Sequence, residues 1–439
     1  MPKRNLVWLA IGVVIAVLLY KLPPAFIRQD TLLNQFGPLL DVRVQILKNY
    51  VEPVDDQVLL RGAIEGMLRK LDPYSEYYDE TEQKQIQKIT EGQFEGIGIE
   101  VGPLPGGGLV IVSPIEGSPA FRAGLLAGDR IVEIDGTNAE NMDLAEGVAL
   151  ITGKRGTDVT LTVLRPSTGQ TLKKTITRGV ITVRTVRGWA RDENWEWDYL
   201  IDPEARIGYI RISRFEGPTA EQVDTVLREL LSRHRMRGLI LDLRDNPGGL
   251  LPEVVEIANR FIRDGVIVST KSRNGPEHPY IAVPERAFPY FPMVVLVNHG
   301  SASASEILSG ALKDHGRAVI VGEQTFGKGS VQEFRPLENG RGALKLTTAY
   351  YYLPRGERIH GKGVTPDRVI NLTPEERTRL IESQMAVYST SLTPTTTQAA
   401  TAPATTSAPS RVGIDVSVDR QLQEALNILR ARLATQPAA

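Results

Sequence analysis

The chain has no cysteine and only five histidines in 439 residues. A disulfide frame, a cysteine-rich zinc or iron–sulfur site and a thiol nucleophile are therefore excluded. Neither sign of charge is in excess. The 51 Lys and Arg stand against 52 Asp and Glu, for a formal net charge of −1, and no long basic block interrupts the balance. That pattern argues against nucleic acid as the main partner. The 41% hydrophobic content is ordinary for globular protein, and the length provides for two or three domains with cores of their own. Any chemistry must come from Ser, Thr, Lys, Asp, Glu or one of the few histidines, and no metal or cofactor is expected.

Long apolar runs are also scarce. The one candidate for a membrane is Leu6 to Tyr20, preceded by Lys3 and Arg4. Its fifteen residues span about 22 Å as a helix, short of a hydrocarbon core of about 30 Å, but Lys21 can snorkel and Leu22 extends the run. Pro23 and Pro24 occupy the place of a small-x-small cleavage site, so residues 1–27 read as a single-pass anchor more than as a secretory signal. The basic N-terminus would face the cytoplasm and the body would lie on the extracytoplasmic side of the cell membrane. At the other end, Ser389 to Ser410 is twenty-two residues, twenty of them Ser, Thr, Ala or Pro, a composition that predicts a disordered linker over 389–410. Beyond it Asp419 can cap a helix in which Leu422, Ala425, Leu426, Leu429 and Leu433 share a face. The sequence does not say where this segment, 411–439, docks.

Between these ends the texture changes twice. Residues 28–90 read as helical: Leu59, Leu60, Ala63, Ile64, Met67, Leu68 and Leu71 recur on one face, and Asp72-Pro73 stops the helix. Residues 91–180 read as short strands and Gly-rich turns. Two passages stand out there, Gly96-Ile97-Gly98-Ile99 and Ser118-Pro119-Ala120-Phe121 running on to Gly128-Asp129 and Asp135-Gly136. The first alone is equally a bulged strand. In this order and spacing the two resemble a PDZ domain, which implies that Gly96, Ile97, Gly98 and Ile99 form the loop that binds a peptide carboxylate. From 181 to 388 strands and helices alternate: Ile207–Ile212, Thr219–Ser232, Leu239–Leu243, Val255–Phe261, Met293–Val297, Ala304–Asp314 and Ala318–Val321. That order predicts an α/β core.

Three passages of this core carry polar chemistry: Asp242-Leu243-Arg244-Asp245-Asn246-Pro247-Gly248-Gly249, Asn298-His299-Gly300-Ser301-Ala302-Ser303-Ala304-Ser305-Glu306, and Gly322-Glu323-Gln324-Thr325-Phe326-Gly327-Lys328-Gly329-Ser330-Val331-Gln332. Ser303 and Glu306 have capping-box spacing, which is a sufficient structural reason for both. A serine at a helix start is also beside free N–H groups and a positive dipole end, where an oxyanion can develop. The third passage matches a phosphate-binding loop in all but its last position, where Gly329 replaces Ser or Thr, and no helix is evident after it. A lysine between glycines serves equally as a general base if burial keeps it neutral, and Gln332, four residues on, can orient its amine.

The three passages, the PDZ-like module and the Leu71-Asp72-Pro73-Tyr74-Ser75 helix end together resemble a carboxyl-terminal processing peptidase, or tail-specific protease. The resemblance covers most of residues 35–375. It implies an α/β serine peptidase core with an inserted, mostly β PDZ domain, an N-terminal helical segment and a membrane anchor. It assigns the nucleophile to Ser303 and the base to Lys328, with Gln332 beside it. It makes Glu306 and Asp314 supporting acids, and the backbone N–H groups of Ala304 and of Gly249 or Gly248 the oxyanion donors. Its substrates would be envelope proteins with exposed, apolar C-termini. Two other readings stay open: a Ser303 triad using His299 or His315 with Asp314, and a tethered PDZ scaffold whose core only binds.

Overall fold

The computed structural model describes residues 25–83, 93–104, 107–166, 168–182, 184–193, 195–338, 342–388 and 412–435. The apolar run Leu6–Tyr20 and the linker over 389–410 lie outside them. Among the described residues no helix is long and apolar enough to cross a membrane. The chain divides into two compact units, residues 1–77 and 78–439.

In the first unit helix α1 spans Ala25–Asn49 and α2 spans Asp56–Arg69. Asp55 caps α2 by accepting the Gln57 N–H. The Asp72-Pro73 stop is built by the Asp72 carboxylate, which accepts the N–H groups of Tyr74 and Ser75 at 2.7 and 2.8 Å.

The second unit begins with the β module. Five antiparallel strands lie in the order Ile99–Pro103, Leu109–Pro114, Arg130–Ile134, Asp158–Arg165, Gln170–Thr177, so Ile99–Pro103 is an edge. Their inward residues, among them Leu109, Ile111, Ile131, Ile134, Val159, Leu161 and Val163, form a core separate from that of the peptidase-like half. Helix α3, Leu144–Ile151, lies beside the edge strand, and buried Arg178 holds its last turn by donating to the Leu150 and Ile151 carbonyls. The strands Gln93–Gly96 and Gly179–Thr182 pair where the module begins and ends. Across the junction Arg191 donates to both oxygens of Glu116 at 2.7 and 2.6 Å and stacks on Trp197.

The α/β core has a parallel sheet of Ile207–Ile212, Gly238–Asp242, Met293–Val297, Val319–Gly322 and Arg368–Val369, in that spatial order. Both faces of such a sheet must be covered, and the alternation along each strand shows how. Leu239, Leu241, Val295 and Val297 face helices α4 (Thr219–Ser232), α5 (Leu251–Asn259) and α6 (Ala304–Asp314). Ile240, Val294, Leu296 and Val321 face the opposite way. There the C-terminal segment finds its place: α7 (Pro374–Tyr388) is followed by α8 (Arg420–Ala434), whose Leu422, Ala425, Leu426, Leu429 and Leu433 are all buried against that second face. Each of these leucines stabilises the docking by about 1.5–3 kcal/mol. Asp419 does cap α8, accepting the Leu422 N–H.

The observed elements depart from the sequence expectation in several places: the strands expected at Leu239–Leu243 and Ala318–Val321 run Gly238–Asp242 and Val319–Gly322, and the helix expected to end at Phe261 ends at Asn259. Helix α5 starts at Leu251, not Val255, because Pro252 fits a first turn whose N–H groups have no helical acceptor. Val266–Ser272, Glu277–Ile281, Ser330–Pro336 and Ala343–Tyr352 form an antiparallel arm that the alternation of the core did not announce.

Candidate active site

The three polar passages follow the carboxyl ends of three strands that are neighbours and parallel: Gly238–Asp242, Met293–Val297 and Val319–Gly322. Loops leaving the same end of adjacent parallel strands must converge, and in open α/β sheets that is where ligands bind. The fold therefore brings 242–249, 298–306 and 322–329 together with no further device.

Ser303 is half-buried at the N-cap of α6, with φ +54° and ψ −111°. Those angles lie outside the basins open to an L-residue, so surrounding bonds must hold them, at an expense of about 1–3 kcal/mol. Glu306 supplies the restraint. Fully buried, its carboxylate accepts the Ser303 N–H at 2.8 Å, the carboxylate half of a capping box. It also accepts the Lys328 N–H at 2.8 Å, the Gly327 N–H at 2.7 Å and the Thr325 hydroxyl at 2.6 Å. The capping-box reading and the chemical reading are thus compatible: the same carboxylate shapes the serine turn and ties the lysine turn to it.

This arrangement removes the phosphate-loop reading. The N–H groups of Gly327 and Lys328, which would have to point at a phosphate, are taken by Glu306, and the following segment is a strand, not a helix. Lys328 is half-buried and lines a cleft of about 300 Å³ with Arg214, Phe215, Glu216, Pro247, Gly248, Gly249 and Leu250. Of its glycine neighbours, Gly329 is required by space, since a β-carbon there would lie 2.3 Å from the His360 nitrogen, and Gly327 by its φ of +92°.

Gly248 packs directly on the serine turn, since a β-carbon there would lie 2.8 Å from Ser303 Cβ and 3.0 Å from the Ala304 nitrogen. The Gly248 N–H donates to Asn246 Oδ1 at 2.9 Å. Among the described residues nothing accepts from the N–H of Gly249 or of Ala304. Gln332 is half-buried on the strand Ser330–Pro336, and its amide nitrogen donates to the hydroxyls of Ser330 and Thr347.

Asp314 is not brought to this place. It ends α6, eleven residues or about 16 Å from Ser303, and accepts the Arg355 N–H at 3.0 Å. His315 caps the same far end of the helix, with its ring on the Val266 carbonyl, and His299 is exposed beside Phe326. A triad through His315 and Asp314 is excluded by the length of α6.

In the β module the carbonyls of Ile97 and Gly98 are turned inward, the first accepting from Ala120 N–H and the second from Ile115 N–H and the Ser118 hydroxyl. In a trans peptide the N–H opposes the carbonyl, so the N–H groups of Gly98 and Ile99 face outward in succession. The pair sits at the start of the open edge Ile99–Pro103, beside α3, on which Leu144 and Val148 are exposed, and two successive outward N–H groups are the arrangement an anion nest requires.

Comparison with known proteins identifies the family. Residues 206–370 match peptidase family S41, residues 110–165 a PDZ domain, and residues 33–82 the N-terminal domain of the activating protease CtpB. The carboxy-terminal-processing protease of Bartonella bacilliformis is 41% identical over 343 residues, covering 77% of this chain and 75% of that one. The chain belongs to peptidase family S41, the carboxy-terminal processing proteases. The carboxy-terminal processing protease CtpB of Bacillus subtilis is 39% identical over 346 residues, covering 78% and 69% of the two chains. Among solved structures, the photosystem II D1 C-terminal processing protease is 32% identical, with coverage of 76% and 86% and a TM-score of 0.44.

As an S41 member the protein is a serine-type peptidase with a PDZ domain. The residues that hold this S41 site in shape were missed by sequence reasoning. Buried Asn246 donates to the Ile212 carbonyl and takes the Gly248 N–H, while its own carbonyl accepts from Ala302 N–H and the Ser305 hydroxyl. Asn298 grips Asp245 through both ends of its amide. Thr325, 2% exposed, relays from the Val364 N–H to Glu306. The available signal was their position, polar residues just past apolar strands, but position alone does not separate such braces from ordinary loop residues.

Proposed function

We propose that this protein cleaves peptide bonds through a Ser303–Lys328 dyad, on proteins chosen by a free C-terminus held in the PDZ groove. The observation that carries it is the pair of 2.8 Å bonds from Ser303 N–H and Lys328 N–H to one oxygen of Glu306. Ser303 Oγ attacks the scissile carbonyl carbon while neutral Lys328 Nζ takes its proton. The oxyanion is received by the N–H groups of Ala304 and Gly249. Gly249 is favoured over Gly248, whose N–H is committed to Asn246. The lysine then gives its proton to the leaving amine. The acyl-enzyme is hydrolysed by a water that the same lysine deprotonates. Gln332, whose nitrogen is spent on Ser330 and Thr347, offers its carbonyl oxygen to the amine.

The substrates are envelope proteins with apolar tails: the anion nest at Gly98 and Ile99 suits a carboxylate, and exposed Leu144 and Val148 suit apolar side chains. The run Leu6–Tyr20 anchors the enzyme on the extracytoplasmic side, a reading supported by the flanking Lys3 and Arg4 and checked by membrane fractionation with and without residues 1–24. Ser303→Ala and Lys328→Ala each abolish cleavage of a tailed substrate while circular dichroism stays native. Full activity in either variant overturns the dyad.

A further inference from the structure

The turn that carries Gly248 and Gly249 rests on buried charges, and the far side of that network belongs to the C-terminal segment. Arg244 is 1% exposed, and Asp242 and Asp419 are 0% exposed. The guanidinium is held on one side by Asp242, through Nε at 3.0 Å and Nη2 at 2.7 Å. On the other side Asp419 takes Nη1 at 2.9 Å and Nη2 at 2.8 Å, and Gln421 Oε1 takes Nη1 at 3.1 Å. Arg211 lies on the same cluster, 3.6 Å from Asp242, and donates to the Arg244 carbonyl at 3.1 Å. Besides the exposed Asp245 carboxylate, 3.5 Å from Arg211, two buried carboxylates thus serve two guanidiniums. One of those carboxylates arrives from residue 419, outside the 206–370 peptidase match, because α8 docks on the second face of the sheet.

We propose that Asp419 is a positioning residue for catalysis: by clamping Arg244 it sets the path of the backbone from Asp245 to Gly249, and so the aim of the Gly249 N–H. This rests on the reading of Gly249 as an oxyanion donor. The path is short and has little slack. Asp245 follows Arg244 with φ +59°, Asn246 is pinned at both ends of its amide, and Gly248 packs on Ser303. A bidentate arginine–carboxylate pair fixes orientation as well as distance. Removing the Asp419 carboxylate leaves Arg244 on Asp242 alone, which Arg211 also approaches, and the cluster must rearrange. Stability alone does not account for the arrangement, since apolar residues fill such a place as well as an ion pair does.

The test uses the full chain and a tailed peptide substrate, with kcat, KM and the rate of Ser303 acylation by a fluorophosphonate measured together. Asp419→Asn keeps an oxygen to cap α8 but removes the charge, and asparagine is as good a cap as aspartate. The expected result is a kcat and an acylation rate lower by roughly tenfold or more, with KM unchanged, a fraction of what losing a whole oxyanion donor does. Arg430→Gln removes the 2.7 Å pair with Asp202 further along the same helix and leaves Arg244 untouched, so kcat stays at the wild-type value. Gln421→Met, which removes a neutral acceptor from Arg244 and a donor from the Ile370 carbonyl but no charge, lowers kcat less than Asp419→Asn. If Asp419→Asn fails to fold, the contrast between Gln421→Met and Arg430→Gln decides in its place. Wild-type kcat in Asp419→Asn, or an equal loss in Arg430→Gln, overturns the proposal. A wild type that turns over without any Ser303 adduct sinks the dyad itself; a wild type that acylates, with Asp419→Asn acylating equally fast, sinks only the role of Asp419.

Discussion

Glu306 holds Lys328 by its backbone: Oε2 accepts the Lys328 N–H at 2.8 Å, and that same oxygen accepts the Ser303 N–H at 2.8 Å. A capping-box glutamate ordinarily serves its own helix; here it also serves a loop after a different strand. All four of its partners are donors, so Glu306→Gln presents an NH2 group to N–H groups. The expected loss is about 3 kcal/mol in urea unfolding, as for breaking a buried charged network. A clear drop in kcat should accompany it, because the serine and lysine turns lose their common anchor. Unchanged stability and kcat would remove Glu306 from the description.

Gly98 has φ +76°, and a β-carbon there would lie 2.4 Å from Ser118 Cβ. Gly98→Ala is therefore expected to displace the outward N–H pair and weaken binding of a labelled C-terminal peptide, measured by fluorescence anisotropy. Strain of this kind amounts to about 1–3 kcal/mol. Wild-type affinity in this variant would place the tail elsewhere.

Acid should loosen the network under the site. Asp242 is fully buried, which alone would raise its pKa, but Arg244 and Arg211 outweigh burial and hold it at about 2, against an ordinary 3.8. A carboxylate depressed on folding stabilises fully above its unfolded pKa, and that contribution is lost as pH falls through the folded value. Stability should thus decline by about 2 kcal/mol between about pH 4 and pH 2 through this group. Urea midpoints across that range should show the slope, and Asp242→Asn should flatten it.

Much of this was legible in the residues. Ile207–Ile212, Thr219–Ser232, Met293–Val297 and Ala304–Asp314 are observed elements, because short, largely apolar runs mark the buried strands and helical periodicity marks the helices. The α8 face was legible too, but not its docking, since Leu422 and Leu429 are equally apolar whatever they cover. Asp314, a supporting acid by the family resemblance, lies at the far end of α6 from Ser303, because a helix converts eleven residues into distance. The Arg244–Asp419 contact spans 175 residues, and no local pattern records it.

Intact-mass spectrometry after exposure to a fluorophosphonate, with the modified peptide mapped, tests the Ser303–Lys328 pair most directly. The pair predicts a single adduct on Ser303 in the wild type, none in Ser303→Ala, and labelling slower by about 100-fold or more in Lys328→Ala. An adduct on another serine, or wild-type labelling in Lys328→Ala, would contradict it.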